Sequence, residues 1–431
     1  MRLALWSARP DGPERSWIHA LRPHFPREVE VVRVEEAPVF PPAADLDLYE
    51  IADDPAHAFA YHAALARPGV VVLRDWSLHR LVAHATLGSG DPRAYLREMR
   101  RDHGDTGTFV GRQVARGLGG LLLPSLLAVN DRLLEQSLGV IAPTTYVGSR
   151  VARRLPGRPL LELPLDLLLP RVEVPGRAEA RRVLGLPEDA PVVVLCAEDP
   201  EAARVPVALR ALGRLRGARP SLRVVALATG PLSAGRLVEW LAAADVVVAL
   251  RFPASGVRPE VVVRALEAGR PVLVTSGTPA ATELPEGVVV PVDPDLLEAA
   301  ELEALLAHLL DRSDLRARIG AAAREHLEAA RDPEAAAARL LGFLRTVAAG
   351  KEEALRAIAA ERTDERTLLG YAMEEVRWGA RDLGLVGRLL GLEPLLADLL
   401  RHGDDRRNAK PDVQPCSPPP PWGGTGRGVD E

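Results

Sequence analysis

Short β-branched and aliphatic runs alternate along this chain with helical stretches, and that rhythm restricts the fold more than any other feature of the sequence. Residues 3–6, 29–34, 46–51 and 70–73 read as buried parallel strands, followed by helical stretches such as residues 56–66 and 92–101. A long helical region over 107–136 and a short strand at 140–142 follow. A strand buried on both faces belongs inside a parallel sheet, and parallel neighbours need crossover helices, so the sheet must be covered on both sides. The same rhythm resumes at 191–195 and continues through 222–228, 245–250, 272–275 and 288–290, with helices over 205–217, 235–244, 259–269 and 296–330. Two doubly wound α/β domains result.

Pro159, Pro164, Pro170 and Pro175 fall between the two sets. Proline fixes φ and removes a backbone donor, so a linker is placed at 158–177, between a first domain over 1–157 and a second over 178–345. Residues 346–402 read as a helical extension. Its stripe of Trp378, Leu383, Leu385, Val386, Leu389, Leu390, Leu395, Leu396 and Leu399 among arginines suits packing on a domain or partner, or peripheral contact with a membrane surface. Residues 403–431, rich in proline and glycine, have no core-forming pattern and read as disordered.

At 431 residues and 47% hydrophobic, the chain is long enough for two cores. A net charge of −5 gives no footprint for nucleic acid. Lys351 and Lys410 are the only lysines, a bias that fits GC-rich bacterial coding. Cys196 and Cys416 lie far apart, which argues against a disulfide framework and for a reducing compartment. No signal-peptide core and no apolar run of about 20 residues is present, so a cytoplasmic address is expected. Metal-ligand spacings, the P-loop and the dinucleotide fingerprint are all missing, and no metal or cofactor is expected.

Two segments carry a family resemblance. The first runs from Leu46 through Tyr49, Asp53, Asp54, His57 and Tyr61, then through Gly69 to Arg74-Asp75-Trp76 and His79. The second runs from Ala243 through Asp245, Arg251 and Pro253 to Arg264, Glu267, Gly269 and Pro271, ending near Glu283. Together they resemble bacterial GT-B glycosyltransferases of the retaining family 4, or group 1, type over roughly residues 1–345. The resemblance implies two Rossmann-like domains facing across a cleft. It implies transfer of a sugar from a nucleotide-diphosphate donor to a glycan or lipid-linked acceptor, without a metal.

A diphosphate leaving group held without metal must be met by basic side chains and helix N-termini. By position, Arg204, Arg251 and Arg264 would hold the diphosphate, and Ser255-Gly256 would lead into a helix whose N-terminus faces the donor. Asp75 and Glu267 would contact hydroxyls. Arg74, Asp75 and His79 fall at the family's His-Asp pair and further histidine, and Glu283 matches a glutamate similar proteins often retain. Several positions depart from the pattern. Gly256 and Arg264 stand where similar enzymes have two glutamates, Arg74 replaces a histidine, and the segment 196–204 is acidic at its centre. Asp53, Asp54 and His57 sit where a strand feeds a helix, a place that suits either a cap or a site. The departures leave two other readings open: a catalytically inactive binding or assembly subunit, and a sugar-nucleotide epimerase.

Overall fold

The structure, a computed structural model, describes residues 1–9, 16–120, 122–197, 202–228 and 232–363, with isolated positions beyond. Met1–Arg356 form one compact unit that contains both sheets; the second unit, Ala357–Glu431, lies almost wholly outside the described residues. The C-terminal leucine stripe, the tail, the middle of the loop after the first strand and the acidic residues Glu198, Asp199 and Glu201 therefore lie outside them too.

The first sheet contains β1 (Arg2–Trp6), β2 (Glu30–Val34), β3 (Leu46–Ile51), β4 (Val70–Leu73), β5 (Gly139–Ala142) and β6 (Leu160–Glu162), in the order β2-β1-β3-β4-β5-β6. The second contains β7 (Val192–Ala197), β8 (Arg223–Ala228), β9 (Val246–Ala249), β10 (Val272–Thr275) and β11 (Val290–Val292), ordered β11-β10-β9-β7-β8. All pairings are parallel. Central strands such as β4 and β9 are buried at every position, whereas the edge strands β2, β6, β8 and β11 are half exposed. Each fully buried valine or leucine contributes about 1.5–3 kcal/mol, so the central strands hold each domain together. These are the two doubly wound domains that the rhythm and the resemblance imply.

Several stretches depart from the expected layout. The proline-rich linker begins with a strand, because β6 pairs with β5 between Arg158 and Leu163 and sets Pro159 and Pro164 just outside the ladder. Helix Pro333–Ala349, most of which the rhythm assigns to the second domain, lies on the first. Its Arg339 donates to the Glu162 carbonyl (2.7 Å), and its Phe343 and Val347 pack against Gly139. Asp332 caps that helix through the Ala335 N–H (2.9 Å), which fixes the point where the chain crosses back. The helical region expected over 296–330 is broken at Arg312 into Glu298–Asp311 and Ser313–Ala330.

The two lobes touch directly. The Trp76 N–H donates to the Ser255 carbonyl (2.7 Å), and the Thr144 hydroxyl donates to the Gly256 carbonyl. Gly256 has φ +152°, and a β-carbon there would stand 2.6 Å from the Arg74 carbonyl oxygen and 3.0 Å from Asp75 Cα. Only glycine fits so close an approach. Gly256→Ala is therefore expected to lower the unfolding midpoint, at a cost of about 1–3 kcal/mol for overpacking. Gly235→Ala, with open space at its β-carbon, is the control and should not lower it. Equal midpoints for the two variants in a thermal melt would contradict this contact.

Burial also sets a pH dependence. Asp102 accepts from the Asn130 N–H (2.7 Å) and the Asp131 N–H (3.1 Å), yet desolvation, with Asp131 nearby, pushes its carboxyl up to about 7 from 3.8. The folded chain then keeps a proton that the unfolded chain releases between about pH 4 and 7. Stability falls as pH rises through that window. Asp102→Asn should remove this part of the slope in melts from pH 4 to 8; an unchanged slope would count against the assignment.

Candidate functional site

In a doubly wound sheet, ligands bind outside the carboxyl ends of the strands where the strand order reverses. The reversal lies between β1 and β3 in the first domain and between β7 and β9 in the second. The first opens on a cavity of about 270 Å³, lined after β1 by Ser7 and Arg9, at the start of the following helix by Trp17, and from β3 and the turn after it by Glu50 and His57. Arg74 follows β4, Asp166 comes from the linker, and Val257, Arg258 and Glu260 lie at the entrance of helix Glu260–Glu267. Beside the second, Cys196, Ala203, Arg251 and Pro259 line a gap of about 10 Å³.

The cavity wall is built from matched charges. Glu50 is buried at the end of β3; its Oε2 accepts from the Ser7 hydroxyl (2.8 Å) and its Oε1 from Arg74 Nη1 (3.4 Å). Arg258 is only 3% exposed. Its Nη2 donates to Asp166 Oδ1 (2.9 Å) and to the Pro143 carbonyl (3.4 Å), while Nη1 donates to Glu283 Oε2 (2.9 Å). Glu283 Oε1 accepts from the Tyr146 N–H (2.8 Å) at the start of the first-domain helix Thr145–Arg154. One buried guanidinium thus ties first domain, linker and second domain together. His57 is buried at the end of the Pro55–His57 turn, which Asp54 caps through the Ala56 N–H (2.7 Å). Desolvation lowers the pKa of its imidazole, which favours the uncharged ring.

The residues singled out by sequence fall into four places. Arg74, Asp75, Ser255, Gly256 and Glu283 gather where the lobes meet, and of these Arg74 lines the cavity. Asp75 accepts from the Asp53 N–H (3.1 Å), and Asp53 in turn accepts from the Leu81 N–H (2.9 Å). Arg204 and Arg251 lie beyond the strand ends of the second domain. Arg204 is held by Glu298 through Nε (3.2 Å) and Nη2, and its guanidinium lies 5.5 Å from the Phe252 ring centre. The Arg251 N–H donates to Thr275 Oγ1 (3.0 Å), and the residue lines the small gap.

Arg264 and Glu267 do not face the cleft. Arg264 is 0% exposed and donates to Glu260 (3.3 Å), Glu267 (2.8 Å) and the Pro170 carbonyl (2.8 Å). Glu267 also accepts from Arg331 (2.7 Å), so the pair clamps the linker to the helix. His79 lies inside the first domain. Its Nδ1–H donates to the Leu127 carbonyl (2.9 Å), and its Nε2 accepts from the Tyr95 hydroxyl (2.7 Å), a satisfied structural arrangement. Arg258 and Asp166 were not singled out. Glu50 had a signal: a charge inside a strand buried on both faces needs a partner.

Among the described residues, no group of three or more His, Cys, Asp or Glu is placed to hold a metal, and no helix is long and apolar enough to cross a membrane. No protein-family model and no curated protein matches the sequence. In overall structure the chain is similar to HepE of Anabaena in complex with UDP and glucose, at 13% identity over 80% of this chain and 100% of that one, with a TM-score of 0.47. It is also similar to sucrose-phosphate synthase from Thermosynechococcus elongatus, at 16% identity over 81% and 99%, TM-score 0.47. WaaG, a glycosyltransferase involved in lipopolysaccharide biosynthesis, is similar at 14% identity over 78% and 98%, TM-score 0.43. These likenesses concern architecture alone; residue roles rest on the geometry of this chain.

Arg204 is expected to act on stability. Glu298 is 2% exposed, and Arg204→Ala leaves that carboxylate buried without its cation. Breaking a buried pair on one side costs about 3–5 kcal/mol. The variant should melt well below the wild type, and Arg204→Ala with Glu298→Leu should recover part of the loss. A wild-type melting curve for Arg204→Ala would contradict the pairing.

Proposed function

We propose that the chain is a glycosyltransferase of GT-B architecture that moves a sugar from a nucleotide-diphosphate donor to a glycan or lipid-linked acceptor without a metal. The observation that carries this reading is the polar cavity at the first domain's strand reversal, roofed by the entrance of helix Glu260–Glu267. In this reading the sugar end occupies the cavity, and the diphosphate lies across the helix entrance. Arg74 from the first domain and Arg251 from the second meet its charge. Retention of configuration follows from front-face attack in which the departing diphosphate takes the acceptor's proton. The protein's task is then to position groups and stabilise the charge that develops on the leaving group.

A second reading has its own support. Arg204 and Arg264 are committed to carboxylates, and Gly256 stands against the first domain where similar enzymes carry a glutamate. Donor binding without turnover, in a binding or assembly subunit, is the function that pattern favours.

UDP, the nucleotide bound in the HepE complexes, is the first probe. A ligand at a hundred times its Kd stabilises the native state by about 2.7 kcal/mol, so UDP and UDP-hexoses should raise the melting midpoint. Arg74→Ala and Arg251→Ala should each weaken UDP about ten- to a hundredfold, the loss of one charge-assisted hydrogen bond, while uridine binds all three proteins alike. Release of UDP from UDP-hexose with acceptor present supports transfer; binding without release supports the second reading. If neither UDP nor any nucleotide sugar shifts the midpoint, both readings fail.

A further inference from the structure

We infer that Arg177, Arg270 and Arg324 form a binding site for a phosphate-bearing anion at the amino ends of the second domain's strands, on the edge of the sheet opposite the cleft. The inference stands apart from the nucleotide-sugar reading. In the parallel pair β9 and β10, Val247 lies beside Val272, so Asp245 and Arg270 sit side by side just before their strands. A four-residue strand spans about 13 Å, which separates them from the residues that line the small gap beyond its carboxyl end. Helix Arg177–Val183 brings Arg177 and Arg181 to Asp245, and helix Ser313–Ala330 brings Arg324 to the turn before β10. In that turn Gly269 has φ +63°, and the Arg324 guanidinium fills the space that a β-carbon would take.

Positive charge is in surplus at this edge. Both oxygens of Asp245 are taken: Oδ1 accepts from Arg177 Nη2 (3.0 Å), and Oδ2 from Arg181 Nη2 (2.8 Å) and the Val192 N–H (2.8 Å). Arg181 is 1% exposed and donates further to the Ala243, Pro187, Glu188 and Ala190 carbonyls, so it serves the interior. Arg270 donates to the Ala242 carbonyl (2.6 Å) and Arg324 to the Ala268 carbonyl (3.5 Å), and neither pairs with a carboxylate among the described residues. Glu267, three residues before Arg270, is held by Arg264 and Arg331, and Glu328, one turn beyond Arg324, by Arg171. With Asp189, which acts on Arg181, four arginines meet two carboxylates. Burial, together with Arg177, Arg324 and Arg181, pulls Arg270 down to about 10 despite Asp245, and an anion among these cations relieves that repulsion. The outer arginines are open to a ligand, since the Arg177 side chain is 38% exposed and Arg324 lies at the surface. Guanidinium forks match phosphate oxygens two at a time, and a phosphate group carries a charge of about −2, where a single carboxylate would leave most of the surplus in place.

The test is calorimetric titration of the full chain with pyrophosphate at fixed ionic strength. Wild type should bind it at a site that Arg74→Ala and Arg251→Ala leave unchanged. Arg324→Gln and Arg270→Gln should each weaken that site about tenfold or more, the loss of one charge-assisted contact. Arg318→Gln removes an exposed charge from the same helix and should have no effect. Absence of pyrophosphate binding to wild type overturns the inference, and so does equal affinity for wild type and Arg324→Gln. Binding that Arg251→Ala weakens and Arg324→Gln does not lies in the cleft, and overturns it as well. Should Arg270→Gln fail to fold, Arg324→Gln, at an exposed position, decides alone. None of these comparisons needs UDP to bind, so a chain that takes pyrophosphate at this edge and ignores UDP strikes only the nucleotide-sugar reading.

Discussion

The guanidinium of Arg258 is buried where three parts of the chain meet, and a cation in such a place must be matched on every side. Asp166 supplies the linker's share, Glu283 the second domain's, and the Pro143 carbonyl the first domain's. A charge removed from water costs several kcal/mol unless it is paired and hydrogen bonded, so these partners are bound together as one unit. Other contacts depend on that anchor. Glu283 can hold the Tyr146 N–H because Arg258 fixes its other oxygen, and Gly256, two residues before Arg258, is brought against the Arg74 carbonyl.

From this junction the place of the cavity follows. Direct contact at Ser255 and Gly256 seats the entrance of helix Glu260–Glu267 over the first domain, where it roofs the cavity beside Glu50, His57 and Arg74. On the second domain's own side, Arg251, Pro259 and Val261 line a small gap. The basic residues divide in the same way. Arg204 and Arg264 serve the interior of the second domain and its linker, whereas Arg74 and Arg258 line the first-domain cavity and Arg251 lines the small gap.

The sheets were legible because strands buried on both faces are largely apolar, and β4, β9 and β10 are too short and too uniformly apolar to read as amphipathic helices. Strand β6 was hidden by Pro159 and Pro164, which mark irregular backbone in general yet here sit outside the ladder. Helix Pro333–Ala349 was legible as a helix, but not its partner. A helix face that packs on the first domain carries the same alanines and leucines as one that packs on the second. The site was legible only in part for a related reason. Arg74 and Arg251 follow strands, and that position points to a cleft. Arg264 has the same composition and lies on a helix with a polar stripe, but its stripe turns toward Glu267, Arg331 and the linker. Only the packing of residues 170–172 and 331 against it decides this, and no local pattern encodes that. Glu50 and Asp166 are single charges in apolar runs, signals that say a partner exists without saying which.

A crystal structure of the full chain with UDP-glucose tests the central claim most directly. The account predicts the glucose ring in the cavity beside Glu50, His57 and Arg74, with the diphosphate across residues 257–260 and Arg258 still joined to Asp166 and Glu283. Glucose bound outside that cavity, with Gly256 withdrawn from the Arg74 carbonyl and the lobes parted, would contradict it.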